Sequence, residues 1–338
     1  MAPDSPSSPA PPAADRDPSA LAAPEARKAR PRPGDRIFSG LARGSGLTLL
    51  LIMASIAVFL SVQAVVALQA NHGNFLTTFQ WNVNAKPPVF GIAVLAYGTI
   101  VTSLIALVLA VPVSVGIALF ISHYAPRRIA SPIAYVIDLL AAVPSVVYGL
   151  WGFLFLVPHL EGLYEWLDDY FAWTRIFEYS GGAPRTLFAA AILLAVMIVP
   201  IVTNVSREVF RQSPKMQEEA ALALGATRWE VVRTAVLPFG RSGVISAAML
   251  GLGRALGETM AVALVLSPSF DIRPSLLNPG GGTFAQNIAA SFEEASPAGV
   301  GREALIASGL VLFLITLLVN GLARMIIARR KEYSGATA

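Results

Sequence analysis

Six long apolar stretches, separated by polar segments, dominate the pattern of this 338-residue chain. Each stretch can cross about 30 Å of hydrocarbon as a helix that rises about 1.5 Å per residue. Pro112 in the second stretch and Pro144 in the third predict kinks, which are tolerated where neighbouring helices satisfy the backbone. The stretches lie near 47–68, 92–122, 131–157, 186–206, 242–267 and 304–327. This pattern predicts an all-α polytopic membrane protein with six transmembrane helices.

The segments at the two ends of the chain have a different character. Residues 1–33 contain nine prolines among alanine, serine and aspartate, so we expect a disordered tail that cannot bury a core. Residues 34–46 form a basic juxtamembrane segment that leads into the transmembrane domain, residues 47–330. Residues 331–338 are predicted to be a short second tail.

The composition supports a membrane protein and narrows its chemistry. The chain is 55% hydrophobic and 14% charged, whereas soluble domains carry about a quarter of charged residues. It has no cysteine, which excludes disulfides, thiolate catalysis and cysteine metal sites, and its three histidines lack the spacing of metal ligands. It also lacks a G-xxxx-G-K-[ST] motif. We therefore expect no catalytic site, metal or cofactor on this chain, and any ATP must bind another subunit.

The distribution of lysine and arginine predicts the orientation in the membrane, because cytoplasmic loops carry an excess of both. With the N-terminus inside, nineteen of the 25 basic residues fall in cytoplasmic segments and five in outer ones. We therefore expect both termini in the cytoplasm of a bacterium and the spans in its plasma (inner) membrane. The net charge of +4 is then a topology signal, and no nucleic-acid partner is expected.

One polar island, KMQEEAALALGATRWEVVRTAVLPFGR at 215–241, interrupts the apolar pattern between the fourth and fifth stretches. It predicts a helix–turn–helix, here called the elbow. Gly225 can end the first helix in a left-handed conformation, and Thr227 is a candidate N-cap of the second, which Pro238 is expected to stop. The elbow is too short to fold alone, so its alanine and leucine face needs a groove.

The spacing of these residues resembles the EAA loop of ABC-transporter importer permeases. The resemblance rests on Glu219-Ala220-Ala221, Gly225 and Leu237-Pro238. It implies that the loop, 207–241, is cytoplasmic, docks into a cleft on an ATPase subunit, and couples ATPase closure to the membrane helices.

The fifth stretch carries two charges, Arg254 and Glu258, at a spacing that would place both on one helix face, where they can pair. An intramembrane charge costs roughly 2.5–3.5 kcal/mol on insertion scales and usually faces a protein interior or an aqueous path. One interpretation is an ion pair that packs helices. The other is an arginine on an anion pathway, because a guanidinium fork suits a tetrahedral oxyanion. Gly253 and Gly257 beside them predict a close helix approach.

Two further features concern charge and aromatic residues. Asp138 lies inside the third stretch and is expected to pair with a basic residue of the elbow or to extend towards the interface. The outer loop 158–185 is acidic and aromatic, which favours contact of its tryptophans and tyrosines with lipid headgroups over a partner surface.

Three passages together resemble PstC-type permeases of the phosphate ABC importer: LLAAVPSVVYGLWGF, EEAALALGATRWEVV and GLGRALGETMAV. The resemblance implies a type I ABC importer permease that binds a PstA-like permease, a PstB-like ATPase dimer with ATP and Mg, and a PstS-like phosphate-binding protein. It also implies that Arg254 and Glu258 line the path of inorganic phosphate. Glu219, Ala220, Ala221, Gly225, Leu237 and Pro238 would belong to the ATPase coupling site.

Two alternatives remain open at this point. An ABC permease for another oxyanion or small solute would have a similar elbow. A secondary transporter that uses Asp138, Arg254 and Glu258 as an ion relay would work without an ATPase.

Overall fold

The computed structural model describes residues 33–271, 273–295 and 299–334. The predicted tail 1–33 lies outside these ranges except for Pro33, whereas residues 331–334 of the predicted tail 331–338 are described and helical. Two compact units divide at Ser55 and Ile56, and helix α1 (Pro33–Ala70) crosses that boundary. The first unit is described only from Pro33. Within it, the predicted basic segment 34–46 is part of helix α1. Apart from the span Ile37–Ala70, the features discussed below belong to the second unit.

The remaining helices lie between Ala93 and Ser334. They are α2 (Ala93–Leu119), α3 (Arg127–Ala142), α4 (Ser145–Trp151), α5 (Val157–His159), α6 (Glu161–Phe171), α7 (Leu187–Arg211), α8 (Lys215–Ala223), α9 (Arg228–Val231), α10 (Leu237–Leu256), α11 (Met260–Val265), α12 (Phe284–Ser291) and α13 (Gly301–Ser334). A short antiparallel hairpin pairs strands β1 (Trp81–Asn82) and β2 (Val89–Phe90). Three π-helical turns extend or join helices, at Phe120–Tyr124, Gly152–Leu156 and Val232–Val236.

The prediction of a polytopic helical membrane protein is confirmed. Five helical segments of the described chain are long and apolar enough to cross a membrane: Ile37–Ala70, Ala93–Tyr124, Leu187–Arg211, Arg228–Leu256 and Gly301–Met325. The pair Arg127–Ala142 and Ser145–His159, bent by 96°, makes up to six if it counts as one span.

Helix α7 packs against α2 and α10 through small side chains, which let the backbones approach. Ala106 and Ala110 of α2, Ala190 of α7 and Ala255 of α10 belong to one buried cluster. The Ser114 hydroxyl of α2 donates a hydrogen bond to the Val199 carbonyl of α7 at 3.1 Å. Small residues and interhelical hydrogen bonds are the usual means of packing in membranes. The buried cluster shared by α2, α7 and α10 is the central contact of the unit.

The third apolar stretch is broken rather than kinked. Val143 and Pro144 have extended backbones, and α3 and α4 meet there at 96°. Pro144 has no N–H to give to the Leu140 carbonyl four residues earlier. The Tyr148 hydroxyl donates to that carbonyl at 2.8 Å and so bridges the bend. In contrast, α2 continues through Pro112 to Leu119.

Gly149 brings α4 onto α11. A Cβ atom at Gly149 would lie 2.7 Å from the Ala261 Cα atom, whereas one at Gly162 of α6 would meet nothing within 4 Å. We expect Gly149→Ala to destabilise the protein by about 1–3 kcal/mol through overpacking. Gly162→Ala is the control, because it gains helix propensity without a clash.

Thermal unfolding of the purified protein in detergent measures both variants. A melting temperature lowered by Gly149→Ala alone is the expected result. Equal melting temperatures for the two variants would contradict the close contact between α4 and α11.

Candidate functional site

The first turn of the elbow is a complete helix C-cap. Gly225 follows α8 with a φ of 87°, the left-handed conformation that the sequence predicts. The Gly225 N–H donates to the Leu222 carbonyl at 2.9 Å, and the Ala226 N–H donates to the Ala221 carbonyl at 3.1 Å. These two bonds are those of a Schellman motif, so glycine ends α8 for a defined stereochemical reason.

The second helix of the elbow begins at Thr227, the predicted N-cap, which forms a capping box with Glu230. The Thr227 hydroxyl oxygen accepts a hydrogen bond from the Glu230 N–H at 3.3 Å. The Glu230 carboxylate accepts one from the Thr227 N–H at 2.7 Å. This reciprocal arrangement satisfies two of the N–H groups that a helix start leaves free and fixes the direction of α9.

The prediction that Pro238 stops this helix is wrong. The segment Arg228–Leu256 is helical over 29 residues and contains Pro238. A π-helical turn, Val232–Val236, precedes the proline, and the Leu237 N–H reaches back to the Val232 carbonyl. Pro238 therefore lies directly after a π-helical turn, within a helix that continues past it. The elbow is therefore continuous with the span that follows it.

Most predicted coupling residues lie on the surface. Glu219, Ala220 and Gly225 are exposed, and Ala221 is half-buried. No residue of α8 is buried in the described structure, and Leu224 beside Gly225 is 90% exposed. The apolar face of α8 therefore has no groove within the described chain.

The other two predicted coupling residues lie at the start of α10. Leu237 packs against a buried cluster that includes Ala118 and Phe210, while Pro238 is exposed. Leu237 therefore belongs to the helix packing beneath the elbow.

Asp138 pairs with a basic residue, as predicted, but the partner lies before the elbow. The Arg207 guanidinium of α7 is 3.3 Å from the Asp138 carboxylate, and the Asp138 side chain is 51% exposed. The Arg207 side chain is 14% exposed, so the pair faces solvent mainly on the Asp138 side. Its position at α3 and α7 makes it a link between helices.

The prediction that Arg254 and Glu258 share a helix face is wrong. Helix α10 ends at Leu256, and Glu258 lies in the break before α11. The Glu258 carboxylate, in a residue only 8% exposed, accepts a hydrogen bond from the Ala261 N–H at 3.2 Å. A side chain that satisfies a free N–H at a helix start competes with continued helix formation, which explains the break.

Arg254 is left exposed, without a carboxylate. It forms neither an ion pair nor a hydrogen bond with any residue in the described ranges. The break at Pro144 and the break after Leu256 are neighbours, since α4 packs on α11 through Gly149. The structure thus gathers a free cation and two helix interruptions in one place.

The close approach predicted for Gly253 and Gly257 is also absent from the described structure. A Cβ atom at Gly253 would meet nothing within 4 Å, and one at Gly257 only the Gly253 carbonyl. Gly251 makes the contact instead, because its Cβ would lie 2.9 Å from the Val202 side chain of α7. The close approach thus lies two residues before Gly253, and Gly240 and Gly243 of the same helix have similar contacts with α7.

Comparison with known proteins assigns the chain to a family. The family described as "binding-protein-dependent transport system inner membrane component" matches residues 110–332, more than half of the chain. The chain belongs to this family. It is therefore a multi-pass inner membrane protein, a transport component and not itself an enzyme.

Individual relatives are similar to this chain over most of their own length. The phosphate transport system permease protein PstC 2 of Mycobacterium tuberculosis is 49% identical over 316 residues, which cover 91% of this chain and 95% of the relative. PstC of Pasteurella multocida is 41% identical over 267 residues, covering 76% and 82%. A solved bacterial ABC transporter involved in alginate import aligns over 86% of this chain and 99% of its own, with a TM-score of 0.53 and 16% identity. That likeness shows the fold alone, which is that of a type I ABC importer permease.

Sequence reasoning missed three residues of this chain whose side chains bridge helix ends around the site. Tyr148 follows Pro144 by one helical turn, a spacing that signals a hydroxyl close to the freed carbonyl. Arg185 donates from one nitrogen to the Leu264 and Leu266 carbonyls, each at 3.2 Å, at the end of α11. His123 contacts Glu218 of α8 at 3.6 Å. The last two join segments distant in sequence, so no local pattern indicates them.

The turn at Gly225 should be sensitive to substitution. We expect Gly225→Val to destabilise the elbow, because an L-residue in a left-handed conformation costs roughly 1–2 kcal/mol and a β-branched one more. Ala226→Val is the control, because Ala226 has no positive φ.

Hydrogen–deuterium exchange of residues 215–231 reports the effect. The expected result is faster exchange in Gly225→Val than in Ala226→Val. Exchange at the wild-type rate in Gly225→Val would show that the elbow does not need the left-handed turn for its stability.

Proposed function

We propose that this chain is the transmembrane permease subunit of an ATP-driven importer of inorganic phosphate. The observation that carries the proposal is the 49% identity, over nearly the whole chain, to relatives that are named phosphate transport system permease proteins. The chain would form the translocation path together with a sister permease of the PstA type. A PstS-like protein would deliver phosphate to the outer face.

ATP and Mg would bind to a PstB-like ATPase dimer rather than to this chain. The absence of a P-loop motif from the sequence supports this division of roles. The elbow would lie in the cytoplasm with both termini, which the excess of lysine and arginine on that side supports. ATP-driven closure of the dimer would then move the elbow.

The exposed face of the elbow is suited to docking. Met216 and Leu224 are exposed apolar side chains at α8 and directly after it, and no residue of α8 is buried against the rest of the described chain. Burial of such side chains in a cleft yields about 25 cal/mol per Å² of apolar surface. Because Arg228–Leu256 is one continuous helix, displacement of α9 is transmitted directly to α10 and its Arg254 end.

Arg254 would offer a transient site to the phosphate anion. Its guanidinium can donate to two oxygens at once, and no described carboxylate competes for it. An unpaired arginine at membrane depth is costly unless it faces water or protein, which supports an aqueous path at this position. Contrary to the sequence prediction, Glu258 would not line the path beside Arg254. It would stabilise the helix break by accepting the Ala261 N–H.

The test of this role is phosphate uptake by the reconstituted complex. We expect Arg254→Gln to lower uptake by about tenfold or more, because a lost charged hydrogen bond corresponds to about 1.5–3 kcal/mol. Arg254→Lys should retain part of the activity, since it keeps the charge but not the planar fork. The control is Arg128→Gln, which removes an exposed arginine from α3.

Complex yield must be measured beside uptake. Normal assembly with reduced uptake supports the pathway role of Arg254. Unchanged uptake with normal assembly would remove Arg254 from the pathway.

A further inference from the structure

Helix α8 is held weakly by the rest of the described chain. None of its residues is buried. Its Glu218 carboxylate lies 3.6 Å from the His123 imidazole Nε2, in the π-helical turn that ends α2. Within the described ranges, no other side chain of α8 forms a hydrogen bond or an ion pair. A segment with so few contacts moves independently of its surroundings unless a specific link restrains it.

The His123 ring is oriented by its neighbour. The Ser122 hydroxyl lies 2.7 Å from Nδ1 and also 2.7 Å from the Ala118 carbonyl. A hydroxyl has one proton, and a carbonyl can only accept, so the serine proton goes to Ala118. The serine oxygen then accepts a hydrogen bond from Nδ1–H. This arrangement orients the ring so that Nε2 faces the Glu218 carboxylate. The contact is attractive in the imidazolium form, in which Nε2 also carries a proton.

An open pocket at the surface adjoins this contact. The pocket, about 150 Å³ in volume, lies between α8, α9 and the end of α2, and its lining includes Tyr124, Leu222 and Val232. No residue of α8 is buried, so α8 has few closely packed side chains through which a displacement could pass to its neighbours. The contact between Glu218 and His123 is the described polar side-chain contact that joins α8 itself to the turn that ends α2.

Helix α2 can pass that displacement on. The turn Phe120–Tyr124 continues α2 directly, and Ala118 and Leu119 pack with Phe210 of α7 in one buried cluster. Further along, Ser114 of α2 is hydrogen-bonded to the Val199 carbonyl. The route from α8 thus reaches the central α2–α7 contact without passing through α10.

We propose that His123 is a positioning residue that tethers α8 to α2 through Glu218, so that movement of the elbow drives α2 as well as α10. The inference rests on the proposed function, in which an ATPase displaces the elbow. It adds a second route of transmission beside the continuous helix Arg228–Leu256.

The test compares transport with ATP hydrolysis in the whole reconstituted complex, supplied with phosphate-loaded binding protein. The variants are His123→Gln, Glu218→Gln, their combination, and His123→Arg, which keeps a cation at this position. The matched control is His159→Gln, which changes an exposed histidine beside α6 that does not contact α8.

The readout is phosphate imported per ATP hydrolysed. Each glutamine variant is expected to lower this ratio about two- to fivefold, the range that corresponds to one partly exposed ion pair. The double variant should lose no more than either single one, because both remove the same contact. His123→Arg should restore most of the ratio, and His159→Gln should leave it unchanged.

A second measurement follows the tether itself. Because the chain has no cysteine, spin labels can be placed at Val113 of α2 and Met216 of α8, which are both exposed. Electron–electron distance measurements should give a broader distribution in His123→Gln than in the unsubstituted chain. The same distribution in both would overturn the tether.

The remaining outcomes separate the inference from the proposed function. An unchanged ratio in His123→Gln, or additive losses in the double variant, overturns the tether. Loss of complex yield in all His123 variants, including His123→Arg, overturns it too, because His123 would then serve assembly only. If the unsubstituted complex shows no phosphate-stimulated ATP hydrolysis, the proposed function itself fails.

Discussion

Every backbone N–H and C=O group in an apolar membrane needs a partner inside the protein, because no water is available there. The interruptions of helices in this chain are built around that constraint. The Leu140 carbonyl, which Pro144 cannot reach with an N–H, accepts the Tyr148 hydroxyl in addition to the Val143 N–H at 3.3 Å. The start of α11 receives the Glu258 carboxylate, and its end receives the Arg185 guanidinium. Side chains thus replace the backbone bonds that a continuous helix would have made.

This use of side chains determines which charge remains free. Had Arg254 and Glu258 stood on one helix, each would have neutralised the other. Because Glu258 is engaged by the backbone of α11, Arg254 keeps its charge available beside two helix interruptions. A single cation without a competing carboxylate can attract a divalent oxyanion and release it again. The backbone requirement and the proposed anion path are therefore two consequences of one arrangement.

The same elements explain what the sequence could and could not predict. Gly225 and Thr227 act on backbone groups within five residues of themselves, so their turn and cap could be predicted from local patterns. The apolar spans could be predicted because about twenty consecutive apolar residues are needed to cross the membrane. The end of α10 could not, because the apolar pattern continues through Gly257 to Val265 and only the buried Glu258 interrupts it.

Contacts between segments that are distant in the chain could not be predicted from the sequence either. The ion pair of Asp138 was expected, but its partner Arg207 depends on how α3 lies against α7. The contact of His123 with Glu218 joins residues almost a hundred positions apart and had no sequence signal. The continuation of the helix through Pro238 depends on the π-helical turn before it, which a proline alone does not predict. Packing, rather than local preference, decides each of these features.

The most direct test of the central claim is ATP hydrolysis by the purified complex in nanodiscs. The rate is compared between phosphate-loaded binding protein, sulfate-loaded protein and no binding protein. The account predicts stimulation with phosphate only, because the permease passes the signal of its own substrate from the outer face to the elbow. Equal stimulation with sulfate would contradict phosphate as the substrate. Absence of an ATPase from the preparation would contradict an ATP-driven importer.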